Sequence, residues 1–140
     1  MVNQGQLRLK MVCKESLILP RQKRLIAAIH DNGGLVRLHI CGNINHILPY
    51  FPQLGIDIID CDWMVDIEKA RKILGSKVTL AGNLDPVKDI MNLPPGAIHE
   101  KFKEIYVRVG NPYFVNAGCE IPPGTPLENL KALCQPIEAM

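Results

Sequence analysis

Four short apolar runs, each closed by small or chemically active residues, constrain this chain more than any other feature. They read "LVRLHIC" (35–41), "IDIIDCD" (56–62), "KVTLAGN" (77–83) and "YFVNAGC" (113–119). Runs of this length are strand-sized, and helical patterns stand between them. "MVDIEKARKILG" (64–75) puts Val65, Ile67, Ala70, Ile73 and Leu74 on one stripe, with Gly75 as its stop. Strands that alternate with helices imply parallel βα units. The chain therefore reads as α/β, with about four such units.

The other helical segments are less uniform. "RQKRLIAAIHDNGG" places Leu25, Ile26 and Ile29, with Ala28 beside them, on one helical stripe, ended by Gly33 and Gly34. "NHILPYFPQLG" is helical only in part, because Pro49 and Pro52 interrupt it. "DPVKDIMN" holds a short helix, with Asp85 as N-cap and Pro86 near its start. Residues 97–110 form a full helix with a glycine stop. The last segment, 125–140, predicts a helix with Thr125 as N-cap, Pro126 as first residue and Glu128 completing a capping box.

In parallel β/α proteins, function gathers at the carboxyl ends of the strands. Here those ends carry His39, Cys41 and Asn43, then Asp60, Cys61 and Asp62, then Asn83 and Asp85, then Cys119 and Glu120. All fall at the same place in the unit, so they face one rim.

His39 and Cys41 are two apart on one strand. Period-two alternation points both side chains to the same face. Zinc takes imidazole nitrogen and thiolate sulfur, and a catalytic zinc keeps three protein ligands and an open position. Cys119 is the best third candidate, because it follows a glycine at the same rim. Cys61 and Asp62 are candidates for a fourth. The competing reading is that Cys41 and Cys119 are small core residues and His39 a satisfied core histidine.

The remaining features point to structure. Cys134 lies on the apolar stripe of the last helix and is expected in the core, and Cys13 has no partner pattern. His30 stands near a helix end, where a cation suits the dipole. His46 and His99 read as ordinary loop and helix residues, and Trp63 as packing under the rim. Asn43 and Asn83 either bind loop backbone or orient substrate, and Asp85, besides its place as a helix cap, is a candidate to support the ligands or substrate. Glu120 is either a loop residue or a carboxylate supporting the ligands.

Charge narrows the function classes. The net charge is +2, and bases are scattered apart from Arg21-Gln22-Lys23-Arg24, so nothing favours nucleic acid. No apolar run nears the ~18–20 residues of a membrane span. The first residues lack the apolar block of a signal peptide. A soluble, cytoplasmic protein is expected. Five cysteines in such a chain suggest thiols or metal ligands rather than disulfides.

Together, "LHICGN", "IDIIDCDWMVDIEKARKILG", "VTLAGNLDPV" and "NAGCEIPPGTPLENLKAL" resemble the C-terminal part of the uroporphyrinogen decarboxylase superfamily. The resemblance runs in unbroken order from about residue 15, leaving 1–14 as an N-terminal extension. It implies a partial (β/α)8 TIM barrel. The superfamily's decarboxylases carry Gly-His-Gly where this chain has Gly118-Cys119-Glu120. Its zinc-dependent methyltransferases, which move a methyl group between a corrinoid protein and a thiol such as coenzyme M, carry His-x-Cys and a distant Cys. That pattern falls on His39, Cys41 and Cys119. The resemblance thus implies zinc, with Asp62 as candidate fourth ligand and a zinc-bound substrate thiolate as nucleophile. It also leaves a decarboxylase, or a non-catalytic binding module, as alternatives.

A full barrel needs ~200 residues or more, and this chain has 140. Either it is a piece of a larger enzyme, or copies pair their open sheet edges. Exposed edges and an uncovered apolar face favour a homo-oligomer.

Overall fold

The computed structural model describes residues 14–137. A π-helical turn, Lys14–Ile18, leads into α1, Leu19–Asp31. Strand β1, Arg37–His39, is followed by a 3-10 segment, Leu48–Gln53, and by β2, Ile58–Cys61. Helix α2, Ile67–Leu74, precedes β3, Thr79–Gly82. Then come a π-helical segment at Pro86–Met91, helix α3 at Pro95–Val109, strand β4 at Tyr113–Phe114 and helix α4 at Leu127–Ala132.

The strands form one parallel sheet in the order β1-β2-β3-β4. The expected α/β architecture of four parallel units is therefore present. No helix among the described residues is long and apolar enough to cross a membrane.

Register explains which side of the sheet does what. His39 pairs with Asp60, Asp60 with Ala81, and Ala81 with Phe114. The neighbouring row is Leu38, Ile59, Leu80 and Tyr113. Adjacent rows point to opposite faces. The second row joins the core with Phe51, Leu74, Ile98, Phe102 and Ile105. The first row carries the exposed His39 and Phe114. One face is thus a helix-packed core, and the other carries polar chemistry toward its carboxyl end.

Helix α2 shows why its sequence folds where it does. Asp66 caps it by accepting the Lys69 N–H at 2.9 Å. Ile67, Ala70 and Leu74 are buried, and Gly75 ends the helix at φ 67°, a backbone state that suits glycine. In α3, Ile98, Phe102, Ile105 and Val109 recur at helical spacing and face the core.

Several expectations fail. Helix α4 has no capping box. Pro126 is itself the N-cap, Thr125 Oγ1 instead donates to the Pro122 carbonyl at 2.8 Å, and Glu128 pairs with Lys131. A cap residue needs its side chain free to face the first turn, and the preceding turn has taken that of Thr125. The helix stops at Ala132, so Cys134 falls beyond it and is exposed rather than core. On α1, Ile26 is buried, but Leu25 is 63% exposed and Ala28 is also exposed. The apolar stripe there is broader than the surface this chain packs against it. Cys13 and residues 138–140 lie outside the described residues.

Candidate metal centre

The end of β1 and the loop after β4 meet at one point. His39 Nε2 lies 3.1 Å from Cys41 Sγ, and Cys41 Sγ lies 3.3 Å from Cys119 Sγ. All three donor atoms are within 4.8 Å of one another. His39 and Cys41 are exposed and Cys119 is partly so, which leaves the group reachable from solvent.

Backbone packing brings Cys119 across the sheet end. Leu84 bridges Ala117 in parallel fashion, and the Gly118 N–H donates to the Leu84 carbonyl at 2.8 Å. Gly118 then passes against the turn after β2. A Cβ there would lie 2.4 Å from the Trp63 nitrogen and 3.1 Å from Asp62 Oδ1. Only a residue without a side chain permits this approach, and the approach delivers Cys119 to Cys41.

Asp62 organises the same junction. It is 3% exposed. Its Oδ2 accepts the Gly42 N–H at 2.5 Å, and its Oδ1 accepts the Trp63 N–H at 2.7 Å. In this geometry both carboxylate oxygens serve loop backbone. The Cys41 thiol is held above its ordinary value, first by its hydrogen bond to Cys119, then by burial and by the charges of Cys119 and Asp62.

Cys61, the other thiol considered for a ligand position, points the opposite way. It is fully buried in the core, and burial pushes its thiol up to about 12. A thiol so placed is inert. Trp63 does not pack under the rim: it is 44% exposed, with the Lys88 ammonium 5.5 Å from its ring centroid. Its backbone is pinned between Asp62 and Gly118, which turns the side chain outward.

The other candidates have structural partners. Asn83 donates to the carbonyls of Val65 at 2.9 Å and Asp62 at 3.2 Å. Asn43 Oδ1 accepts from the backbone and side chain of Asn45. Asp85 caps its helical segment by accepting the Val87 and Lys88 N–H groups. Glu120 is exposed and makes no hydrogen bond to the His39–Cys41–Cys119 group among the described residues. His30 pairs with Asp57 at 2.9 Å.

Sequence reasoning placed Asp60 at the rim without giving it a role. Asp60 is 7% exposed, and Arg37 Nε donates to both its carboxylate oxygens at 2.9 Å. Period two alone puts Arg37 and His39 on one face, whereas the register that sets Asp60 beside His39 belongs to the assembled sheet.

The donor set fits zinc. Zinc takes sulfur at about 2.3 Å and nitrogen at about 2.0–2.1 Å, so donors around one ion sit roughly 3–4 Å apart. The two observed contacts, 3.1 and 3.3 Å, match that spacing.

Comparison with known proteins places this architecture. Residues 14–140 match the uroporphyrinogen decarboxylase (URO-D) family, and the chain belongs to it. It is 34% identical to the methylated-thiol–coenzyme M methyltransferase of Methanosarcina mazei over 82% of this chain and 30% of that protein. It is 30% identical to the uroporphyrinogen decarboxylase of Carboxydothermus hydrogenoformans over 90% of this chain and 36% of that protein. A solved methyltransferase structure from Methanosarcina mazei superposes with a TM-score of 0.74 at 27% identity, covering 86% of this chain and 35% of that one. The chain thus spans about a third of the length of these relatives.

Proposed function

We propose that this chain carries the zinc-holding part of an enzyme that moves a methyl group from a methylated corrinoid protein to a small thiol such as coenzyme M. The observation that carries this reading is the convergence of His39, Cys41 and Cys119 from two separate segments. Those three residues would hold the ion. When bound, zinc supplies a Lewis-acid position that lowers the pKa of a substrate thiol, so that it reacts as a thiolate.

The chain's own residues do the rest. With zinc held there, two thiolates and a neutral imidazole would offset the double charge of the ion and would keep a substrate sulfur electron-rich. Asp62 ties the Gly42 loop to the turn at Trp63, which keeps Cys41 facing Cys119. Asn83 braces that turn from below through the carbonyls of Asp62 and Val65. Both Asp62 oxygens already accept a backbone N–H, so we assign it to positioning first and to a fourth ligand place second.

A decarboxylase acting on an acidic tetrapyrrole would need free cationic groups at this rim. Arg37, the base on this face of β1, is held by Asp60. This supports the methyltransferase branch, although decarboxylases are similarly close in sequence. The walls that bind the corrinoid protein and the thiol are assigned to structure beyond these four βα units, whether the rest of a longer chain or a second copy in a homo-oligomer.

Metal content per purified chain, beside a Cys119→Ser variant, tests the proposal. About one zinc per chain, lost in the variant, is the expected result. No zinc in either sample, after loading with excess zinc, would overturn it in favour of a metal-independent family member.

A further inference from the structure

A buried carboxylate stands directly behind the proposed ligand histidine. Asp60 is the register partner of His39 on the adjacent parallel strand, so the two side chains lie side by side on one face. Asp60 Oδ2 is 3.6 Å from His39 Nδ1, while Nε2 of the same ring faces Cys41 Sγ at 3.1 Å. Arg37, two residues before His39, clamps the carboxylate. Its Nε reaches both oxygens at 2.9 Å and its Nη2 reaches Oδ1 at 2.8 Å. The Asp60 side chain is 10% exposed, whereas that of Arg37 is 54% exposed.

We propose that Asp60, held by Arg37, is a positioning residue that keeps the His39 proton on Nδ1 and so leaves Nε2 bare to bind metal. This rests on the assignment of His39 as a ligand. A neutral imidazole carries one N–H, and the nitrogen that binds metal must lack it. At 3.6 Å the Asp60 contact is electrostatic rather than a full hydrogen bond. It still discriminates. A protonated Nδ1 presents positive charge to the carboxylate, and a bare Nδ1 presents a lone pair to it. Carboxylates behind metal-binding histidines act in this way in general.

The clamp has its own logic. A carboxylate this buried needs charged partners. Arg37 supplies them from the exposed side, and its fork fixes the carboxylate plane. The arrangement follows from strand period and register alone. Arg37 and His39 are on one face of β1, and Asp60 sits beside them on β2.

The test uses the full chain and the near-isosteric Asp60→Asn variant, with Asp60→Ala as a second. Zinc affinity is read by competition with a chromophoric chelator. The His39 tautomer is read in the metal-free protein by nitrogen-15 NMR. Wild type is expected to show the Nδ1–H form. In Asp60→Asn, Arg37 retains the remaining oxygen and the new amide N–H groups face Nδ1, which favours the wrong tautomer. Zinc affinity is expected to fall about 10- to 100-fold, and the tautomer signal to move toward Nε2–H, with the fold intact by circular dichroism. Asp60→Ala should shift both readouts in the same direction. Variants that lose thermal stability while keeping wild-type affinity and the Nδ1–H signal would overturn the proposal and leave Asp60 as a structural partner of Arg37. A wild-type chain that binds no zinc would refute the ligand assignment itself. The metal-free tautomer measurement would then decide separately whether Asp60 positions the ring.

Discussion

Two polar groups in this chain are built in opposite ways. Asn129 is buried, and its amide nitrogen donates to the carbonyls of Ile90, Met91 and Leu93 at 2.8, 3.2 and 2.9 Å. It ties α4 to the end of the segment after β3. Arg71 does similar work beneath the sheet, reaching the carbonyls of Val109, Gly75, Val78, Gly110 and Pro112. Burial lowers its pKa, but a guanidinium stays charged. These donors end on backbone oxygens. The His39–Cys41–Cys119 group is the reverse. Its nitrogen and sulfurs meet one another at the rim. A buried polar side chain saturated by backbone is architecture. Soft donors that converge on each other and stay open to solvent are the arrangement the proposed metal centre requires.

The largest expected effect separates the two. Cys119→Ser should abolish zinc retention, measured by mass spectrometry, and leave chelator-treated protein as stable as wild type. Asn129→Ala should do the opposite. Three carbonyls lose their donor, and each unsatisfied buried group costs roughly 1–3 kcal/mol. A loss of about 3 kcal/mol in urea unfolding is expected, with zinc binding kept by the folded fraction. If Asn129→Ala also removed zinc, the division between architecture and ligand site would fail.

Gly118→Ala should strike both sides at once. The new Cβ would lie 2.4 Å from the Trp63 nitrogen, and backbone must move to admit it. Overpacking of this kind costs about 1–3 kcal/mol, and the displaced loop carries Cys119. Reduced stability together with weakened zinc affinity, read from one titration series, is the expected pair of results.

The smallest effect lies at the opposite end of the strands. Asp57 accepts the Val36 N–H at 2.7 Å and pairs with His30. These contacts, the Val36 N–H first and His30 second, lower its carboxyl pKa. A folded pKa below the unfolded one gives stability that is present above the unfolded value, about 3.9 for aspartate, and lost as pH falls through the folded value. Asp57→Asn should therefore be less stable than wild type at neutral pH. The difference should vanish in acid, while zinc content per chain is unchanged at neutral pH. A pH-independent difference would mean the amide replaces what the carboxylate does.

Much of the fold was legible because it is local. The α2 stripe of Ile67, Ala70 and Leu74, the Gly75 stop and the Asp85 cap depend on residues a few positions apart. Failures occurred where a side chain had a nearby alternative. Thr125 could bond forward to the helix or back to Pro122, and it bonds back. Leu25 belongs to an apolar stripe, yet nothing in the pattern says how wide a surface receives it.

The candidate site divides in the same way. From the sequence alone, period two put His39 and Cys41 on one face, and strand–helix alternation put Cys119 at the same rim. Those statements need only covalent geometry and element type. Tertiary structure decided how Cys119, the expected third donor, reaches Cys41 and that Cys61 stays out of the group. Cys61 turns into the core, while Cys119 arrives from 78 residues beyond Cys41 through the Leu84–Ala117 bridge and the tight passage of Gly118. It also decided that Asp62 serves backbone and that Asp60 stands behind His39. Register between strands and close approach between loops are set by packing across the whole sheet, and no local spacing encodes them.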